Sequence, residues 1–184
     1  WIPQGVDLNF YKHTQGAALN DLIPKKEGDF IIGYAGTLGK ANALDSVFKA
    51  ASALQKTHPA IKFIFIGDGP LKNQFQETYK NLDNIIFFPT VSKLQLQQCF
   101  KNIDILINTW LDIPIYRFGI SPNKWIDYMY ASKPVLVAYS GHDCIIDKAG
   151  CGLVVPAENT KALVDGIIKL SEMPAEELAK MGEK

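Results

Sequence analysis

Six short apolar runs, separated by stretches of helical periodicity, constrain this 184-residue chain more than any other feature. They are Phe30-Ile-Ile-Gly-Tyr-Ala35, Ile61-Lys-Phe-Ile-Phe-Ile66, Ile85-Ile-Phe-Phe88, Ile103-Asp-Ile-Leu-Ile107, Pro134-Val-Leu-Val-Ala138 and Gly152-Leu-Val-Val155. Each is nearly continuous rather than alternating, as expected of strands covered on both faces. After the first run, Leu44, Val47, Phe48, Ala51 and Leu54 recur as one helical stripe, which His58-Pro59 stops. Further helices are expected from Leu71 to about Lys80, and from Lys93 to about Lys101 behind a Ser92–Gln95 capping box. Three more follow: Asp143 to Ala149, an Asn159-capped helix to about Leu170, and one opened by Pro174 with Glu176 and Glu177 in its first turn. Strand and helix alternate six times. The expected fold is therefore α/β, a doubly wound parallel sheet of Rossmann-like type with helices on both faces.

Such a sheet binds ligands outside the carboxyl ends of its strands, near the point where strand order reverses. Three loops fall on that edge: the glycine loop after the first strand, Gly67-Asp-Gly-Pro70 after the second, and a long loop after the fourth. The last contains Tyr116-Arg-Phe-Gly-Ile-Ser-Pro-Asn-Lys-Trp-Ile-Asp127 and turns into a helix. Ser121 is expected as its N-cap, with Pro122 at the first helical position. The N–H groups of Asn123 and Lys124 then join the orphan donors of the first turn. With the helix dipole, Arg117 and Lys124, they form an anion site. Asp127 lies one turn further on the same face, where its carboxylate can accept hydrogen bonds from ribose hydroxyls. A phosphate seat with a carboxylate one turn away suits a nucleotide.

Composition removes other classes. Nineteen basic and nineteen acidic residues balance, which argues against a nucleic-acid footprint. Cys99, Cys144 and Cys151 have no metal-ligand spacing, and His13, His58 and His142 are far apart. No apolar run is long enough to span a bilayer. Gly33-x-x-Gly36-x-x-Gly39 lacks the dinucleotide spacing, and Gly36-Thr-Leu-Gly-Lys40 is not a Walker A loop. The chain opens at Trp1 without a Met, so it reads as a piece of a larger protein.

Together these stretches resemble the C-terminal, donor-binding half of a two-domain GT-B glycosyltransferase of group 1 (family 4). Ile2-Pro-Gln-Gly-Val-Asp7 with Phe10 is similar to the family's opening I-P-N-G-V-D…F segment. Gly33-Tyr-Ala-Gly36 is similar to its first glycine loop, and Phe65-Ile-Gly-Asp-Gly-Pro70 to its V-G-D-G-P turn. Asp127-Tyr-Met-Tyr-Ala-Ser-Lys-Pro-Val135 resembles E-A-M-A-x-G-K-P-V, and Ala149-Gly-Cys-Gly-Leu-Val-Val-Pro156 resembles the closing G-x-G-x-x-V-P segment. The Phe-Gly-Ile-Ser-Pro-Asn-Lys version is most like bacterial enzymes of surface-polysaccharide or lipopolysaccharide synthesis.

The resemblance implies transfer of a sugar from a nucleotide-diphosphate sugar, most readily a UDP-sugar, to a polysaccharide or lipid-linked acceptor. It implies no metal and no cofactor, and a location in the cytoplasm with peripheral contact to the inner membrane face through an absent N-terminal acceptor domain. Residues 1–29 would be a lead-in segment, 30–172 the nucleotide-sugar-binding domain, and 173–184 the start of a truncated C-terminal helix. The implied donor-binding set is Gly36, Thr37, Lys40, Gly67, Gly69, Thr90, Val91, Arg117, Gly119, Ser121, Asn123, Lys124 and Asp127. Thr90 and Val91 would meet the base, Asp127 the ribose, and Ser121 to Lys124 the phosphates. No catalytic residue is assigned, and this portion alone is expected to bind donor weakly without catalysis.

Two departures stand out. The family's E-x7-E motif falls on Gly119 and Asp127, and its basic pair falls on Thr37 and Asn42. Lys40, Arg117 and Lys124 are the nearby cations that could neutralise a diphosphate instead. A UDP-sugar epimerase of the same fold would need cleft acidic and histidine residues that the sequence does not offer. A non-catalytic nucleotide-binding or regulatory domain would account for the lost Glu and basic pair, but not for the retained cluster around Ser121 to Asp127.

Overall fold

The computed structural model describes residues 23–184. The Ile2–Phe10 resemblance and most of the 1–29 segment lie outside those residues. Six strands, β1 Phe30–Ala35, β2 Ile61–Ile66, β3 Ile85–Phe88, β4 Ile105–Thr109, β5 Val135–Ala138 and β6 Gly152–Val155, form one sheet in the order β3-β2-β1-β4-β5-β6. All five pairings are parallel. The order reverses between β1 and β4, which sets the switch point there.

Helices α1 Asp45–Leu54, α2 Lys72–Thr78, α3 Lys93–Lys101, α4 Asn123–Tyr130, α5 Ile145–Ala149, α6 Thr160–Ser171 and α7 Ala175–Gly182 cover the sheet. Successive strand residues point to opposite faces, so one apolar run serves two cores. Ile32 and Tyr34 of β1 face the layer of α1 and α6, while Ile31 and Ala35 face that of α3, α4 and α5. In the first core Phe48 stacks at 4.2 Å on Phe75, 4.3 Å on Phe65 and 5.0 Å on Tyr79. In the second, Phe100 meets Tyr128 edge-on at 5.5 Å. The Ser92–Gln95 capping box and the Asn159 cap form as expected.

Besides β5 starting at Val135 rather than Pro134 and α5 at Ile145 rather than Asp143, two boundaries differ from the sequence reading near the site. β4 starts at Ile105, not Ile103, and runs through Asn108 and Thr109. Asp104 accounts for the late start. Its carboxylate accepts from the Ile31 N–H at 2.7 Å and from the Lys25 ammonium at 2.6 Å, so it buttresses β1 from outside the ladder. The polar extension is held by internal partners, although the Asn108 carboxamide nitrogen stays buried without one. The Asn108 carboxamide oxygen accepts from both the Trp110 and Trp125 indoles, at 2.9 and 2.8 Å, and the Thr109 hydroxyl donates to the Asn42 carbonyl.

The other correction concerns α4. Pro122, not Ser121, is its N-cap residue, with extended backbone at φ −78° and ψ 131°, and the helix begins at Asn123. Ser121 is exposed and makes no capping hydrogen bond. With ψ extended, Pro122 falls outside the first turn, and Ser121 is one residue too early to reach its N–H groups.

Candidate functional site

Where β1, β2 and β3 end, their following loops and two helices enclose a crevice of about 630 Å³. That volume is ordinary for a small-molecule site. Ala35, Gly36 and Thr37 continue from β1, Ile66, Gly67 and Asp68 from β2, and Thr90 and Val91 from β3. Lys93 and Leu96 of α3 and Asn123, Lys124, Asp127 and Tyr128 of α4 close it.

The floor depends on two glycines. Gly67 has φ +140°, and a Cβ there would stand 2.2 Å from the Gly36 carbonyl oxygen. Gly69 has φ +156°, with a Cβ position 2.5 Å from the Leu38 oxygen. The loops thus pack backbone against backbone, joined by Leu38 N–H to Asp68 oxygen at 2.9 Å and Leu71 N–H to Leu38 oxygen at 3.0 Å. The Lys72 ammonium steadies the Gly67 carbonyl at 2.8 Å.

Three contacts fix α4 over this floor. The Tyr128 hydroxyl bonds the backbone of Ala35, the Trp125 indole bonds Asn108, and the Gln97 carboxamide donates to the Asp127 carbonyl at 3.1 Å. Burial pushes the Tyr128 phenol well above its ordinary range, so it stays a neutral pin. The first backbone bond of the helix runs from Trp125 N–H to Pro122 oxygen at 3.1 Å. The N–H groups of Asn123 and Lys124 precede it and are orphan donors of the helix start. Asp127, one turn on, is only 8% exposed, and its carboxylate lies 3.7 Å from the Lys93 ammonium.

Lys124 reaches from α4 to the β1 loop. Its ammonium donates to the Asn42 carboxamide oxygen at 3.0 Å and the Tyr34 hydroxyl at 3.3 Å, and sits 4.6 Å from the Tyr34 ring centroid. These partners are neutral. Burial lowers the Lys124 pKa from 10.5 to about 8 and holds the Tyr34 phenol well above its usual range.

Of the expected donor-binding residues, Gly36, Thr37, Gly67, Thr90, Val91, Asn123, Lys124 and Asp127 line one crevice. Lys40, Gly69, Arg117, Gly119 and Ser121 are not part of its lining. Lys40 is exposed on the short 3₁₀ turn Lys40–Asn42, and Arg117 is exposed on another, Pro114–Phe118, which Gly119 ends at φ +106°. Lys93, Asp68 and Leu96 were not anticipated. The Ser92 cap marks the start of α3 just beyond β3, so the place of Lys93 on this edge was available from the sequence. Among the described residues no group of three His, Cys, Asp or Glu side chains could hold a metal, and no helix is long and apolar enough to cross a membrane.

Comparison with known proteins adds the following. The family model for glycosyl transferases group 1 matches residues 20–184. A curated relative, the alpha-monoglucosyldiacylglycerol synthase of Acholeplasma laidlawii, is 22% identical over 182 residues, 94% of this chain and 44% of its own length. The chain therefore spans less than half of that relative. The C-terminal domain of the group 1 family protein LpcC from Francisella tularensis superposes with a TM-score of 0.69 at 20% identity, covering 88% of this chain and 84% of that one. S. aureus TarM, crystallised with Fondaparinux, alpha-GlcNAc-glycerol and UDP, gives 0.68 at 17% identity over 87% of this chain and 32% of its own. At these identities the structural likenesses show the fold.

Proposed function

This chain belongs to the group 1 glycosyl transferases, and from that premise we propose that its crevice binds the nucleotide-diphosphate part of a sugar donor. One observation carries the reading. A helix start, an ammonium with neutral partners and a nearly buried carboxylate one turn away converge on a single cavity.

In this reading the diphosphate lies against the Asn123 and Lys124 N–H groups and the Lys124 ammonium. The Asp127 carboxylate accepts from the ribose hydroxyls, and Lys93 shares that carboxylate. The base lies beside Thr90 and Val91, with Ile66 and Leu96 as apolar walls. UDP is the favoured nucleotide, which the UDP bound to structurally similar TarM supports.

The chemistry proposed for the whole protein breaks the bond between the sugar's anomeric carbon and the diphosphate oxygen, through an oxocarbenium-like centre, and joins the sugar to an acceptor hydroxyl oxygen, releasing the nucleoside diphosphate and the hydroxyl's proton. Negative charge grows on the departing diphosphate. Donors already aimed at it stabilise that charge without reorganising, so the seat is held by cation and dipole with no metal required. The acceptor is proposed to be a polysaccharide or lipid-linked molecule bound by another part of the protein, at the cytoplasmic membrane face. The name of the glycolipid-synthesising relative supports a lipid-linked acceptor.

Calorimetric titration with UDP, GDP and ADP tests the donor site. Selective UDP binding that Asp127→Ala weakens at least tenfold is the expected result. Equal binding by that variant would overturn the ribose assignment, and no nucleotide binding at all would overturn the reading of the crevice.

A further inference from the structure

Building on that reading of the crevice, we infer that Asn42 is a positioning residue for the diphosphate seat: from outside the crevice lining it holds the Lys124 ammonium beside the β1 loop.

Asn42 closes the 3₁₀ turn after Gly39, and its polar groups are used. Its backbone N–H donates to Gly39 oxygen at 3.1 Å, and its carbonyl accepts the Thr109 hydroxyl. The side-chain nitrogen donates to Thr37 oxygen at 2.9 Å, and the side-chain oxygen accepts from Lys124 at 3.0 Å. The two side-chain partners determine which end of the carboxamide is which. A backbone carbonyl only accepts and an ammonium only donates, so oxygen must face Lys124 and nitrogen Thr37. The contact joins residues 82 positions apart and ties the β1 loop to the start of α4.

The ammonium is placed, not merely tolerated. It stands 3.2 Å from where a Cβ on Gly36 would be, beside a glycine that lines the crevice. The groups that face it from the surrounding elements are Tyr34 of β1 and Asn42 of the β1 loop. Asp127 of its own helix is paired with Lys93 of α3, and Asp68 of the β2 loop lines the same crevice. Its direct partners are all neutral, so the positive charge remains available to an incoming phosphate. The lowered pKa of Lys124 agrees with that arrangement.

The charge is expected to be exchangeable across the contact. A lysine at 42 paired with asparagine at 124 would return an ammonium to nearly the same point from the β1 loop side.

The test follows Lys124 through its side-chain NMR titration, and UDP affinity between pH 7 and 10, in the unaltered protein, Asn42→Ala, Lys124→Asn and the exchanged pair Asn42→Lys/Lys124→Asn. Asn42→Ala should lower the Lys124 midpoint and shift the alkaline loss of UDP affinity to lower pH by about half a unit, since a lost acceptor favours the neutral amine. Lys124→Asn should weaken UDP about tenfold, the scale of one charge-assisted hydrogen bond. The exchanged pair should recover most of that loss. An unchanged Lys124 midpoint in Asn42→Ala, with affinity reduced equally at every pH, would reduce Asn42 to a loop staple and overturn the inference. An exchanged pair no better than Lys124→Asn would do the same. Absence of UDP binding by the unaltered protein would instead overturn the parent reading, while the ligand-free titration would still report the Asn42–Lys124 contact.

Discussion

The Tyr128 hydroxyl lies 3.0 Å from the Ala35 nitrogen and 3.2 Å from its carbonyl oxygen, fastening helix α4 to the end of β1. Both partners are buried, so neither backbone group has water to fall back on. Tyr128→Phe should cost about 1–2 kcal/mol in urea denaturation, the usual penalty for orphaning a buried group. It should also weaken UDP binding several-fold, because α4 carries the proposed phosphate and ribose contacts. Unchanged affinity at reduced stability would show that the pin serves folding alone.

Gly67→Ala should be more damaging than its size suggests. The residue sits at φ +140° with its missing Cβ 2.2 Å from the Gly36 oxygen, so an alanine meets backbone that cannot step aside. A loss of about 2–3 kcal/mol is expected from strain and displacement together. Gly119→Ala is the control. It also has positive φ, but nothing lies within 4 Å of its Cβ position, so its cost should be smaller by thermal melting.

Lys124 should trade stability for binding. Its folded pKa of about 8 lies below the ordinary 10.5, so the native state binds fewer protons between those values. The penalty for burying the ammonium is complete below pH 8, and stability should rise from pH 8 to 10.5 as it is relieved. Lys124→Met should flatten that rise in melting temperature against pH, and weaken UDP about tenfold at pH 7. UDP affinity in the unaltered protein should fall through the same alkaline interval, because phosphate needs the protonated amine.

Asp127→Ala should remove discrimination by the sugar hydroxyls. The unaltered protein is expected to prefer UDP over its 2′,3′-dideoxy analogue at least tenfold, as a buried carboxylate hydrogen-bonded to hydroxyls would. In the variant the two should bind alike. A preference that persists would move the ribose contact away from Asp127.

Much of this was legible in the chain because the physics was local. Ile61–Ile66 is a mostly buried apolar run and Ile85–Phe88 a half-buried one at the sheet edge, and Ser92 and Asn159 carry their capping chemistry within three residues, so strand and helix starts could be read directly. Asp127 and Asn123 share a helix face by spacing alone. What was not legible depended on distant partners. Asn108 and Thr109 look like loop residues until the Trp125 indole and the Asn42 carbonyl engage their oxygens, so sequence alone places β4 two residues early. Ser121 has the right chemistry for a cap but the wrong position once Pro122 takes an extended ψ. Arg117 is close in sequence to the site but sits on an exposed 3₁₀ turn, while Lys93, thirty-four residues before Asp127, comes within 3.7 Å of its carboxylate.

Amide chemical-shift mapping during UDP titration is the decisive test of whether the crevice at the ends of β1, β2 and β3 takes a nucleotide diphosphate, as proposed. The largest shifts are expected at Asn123 and Lys124, where the phosphates are proposed to meet the helix start, with further changes at Gly36, Thr37 and Val91. Shifts confined to the shallow groove between α6 and α7 around Met173, or no shifts at saturating UDP, would contradict it.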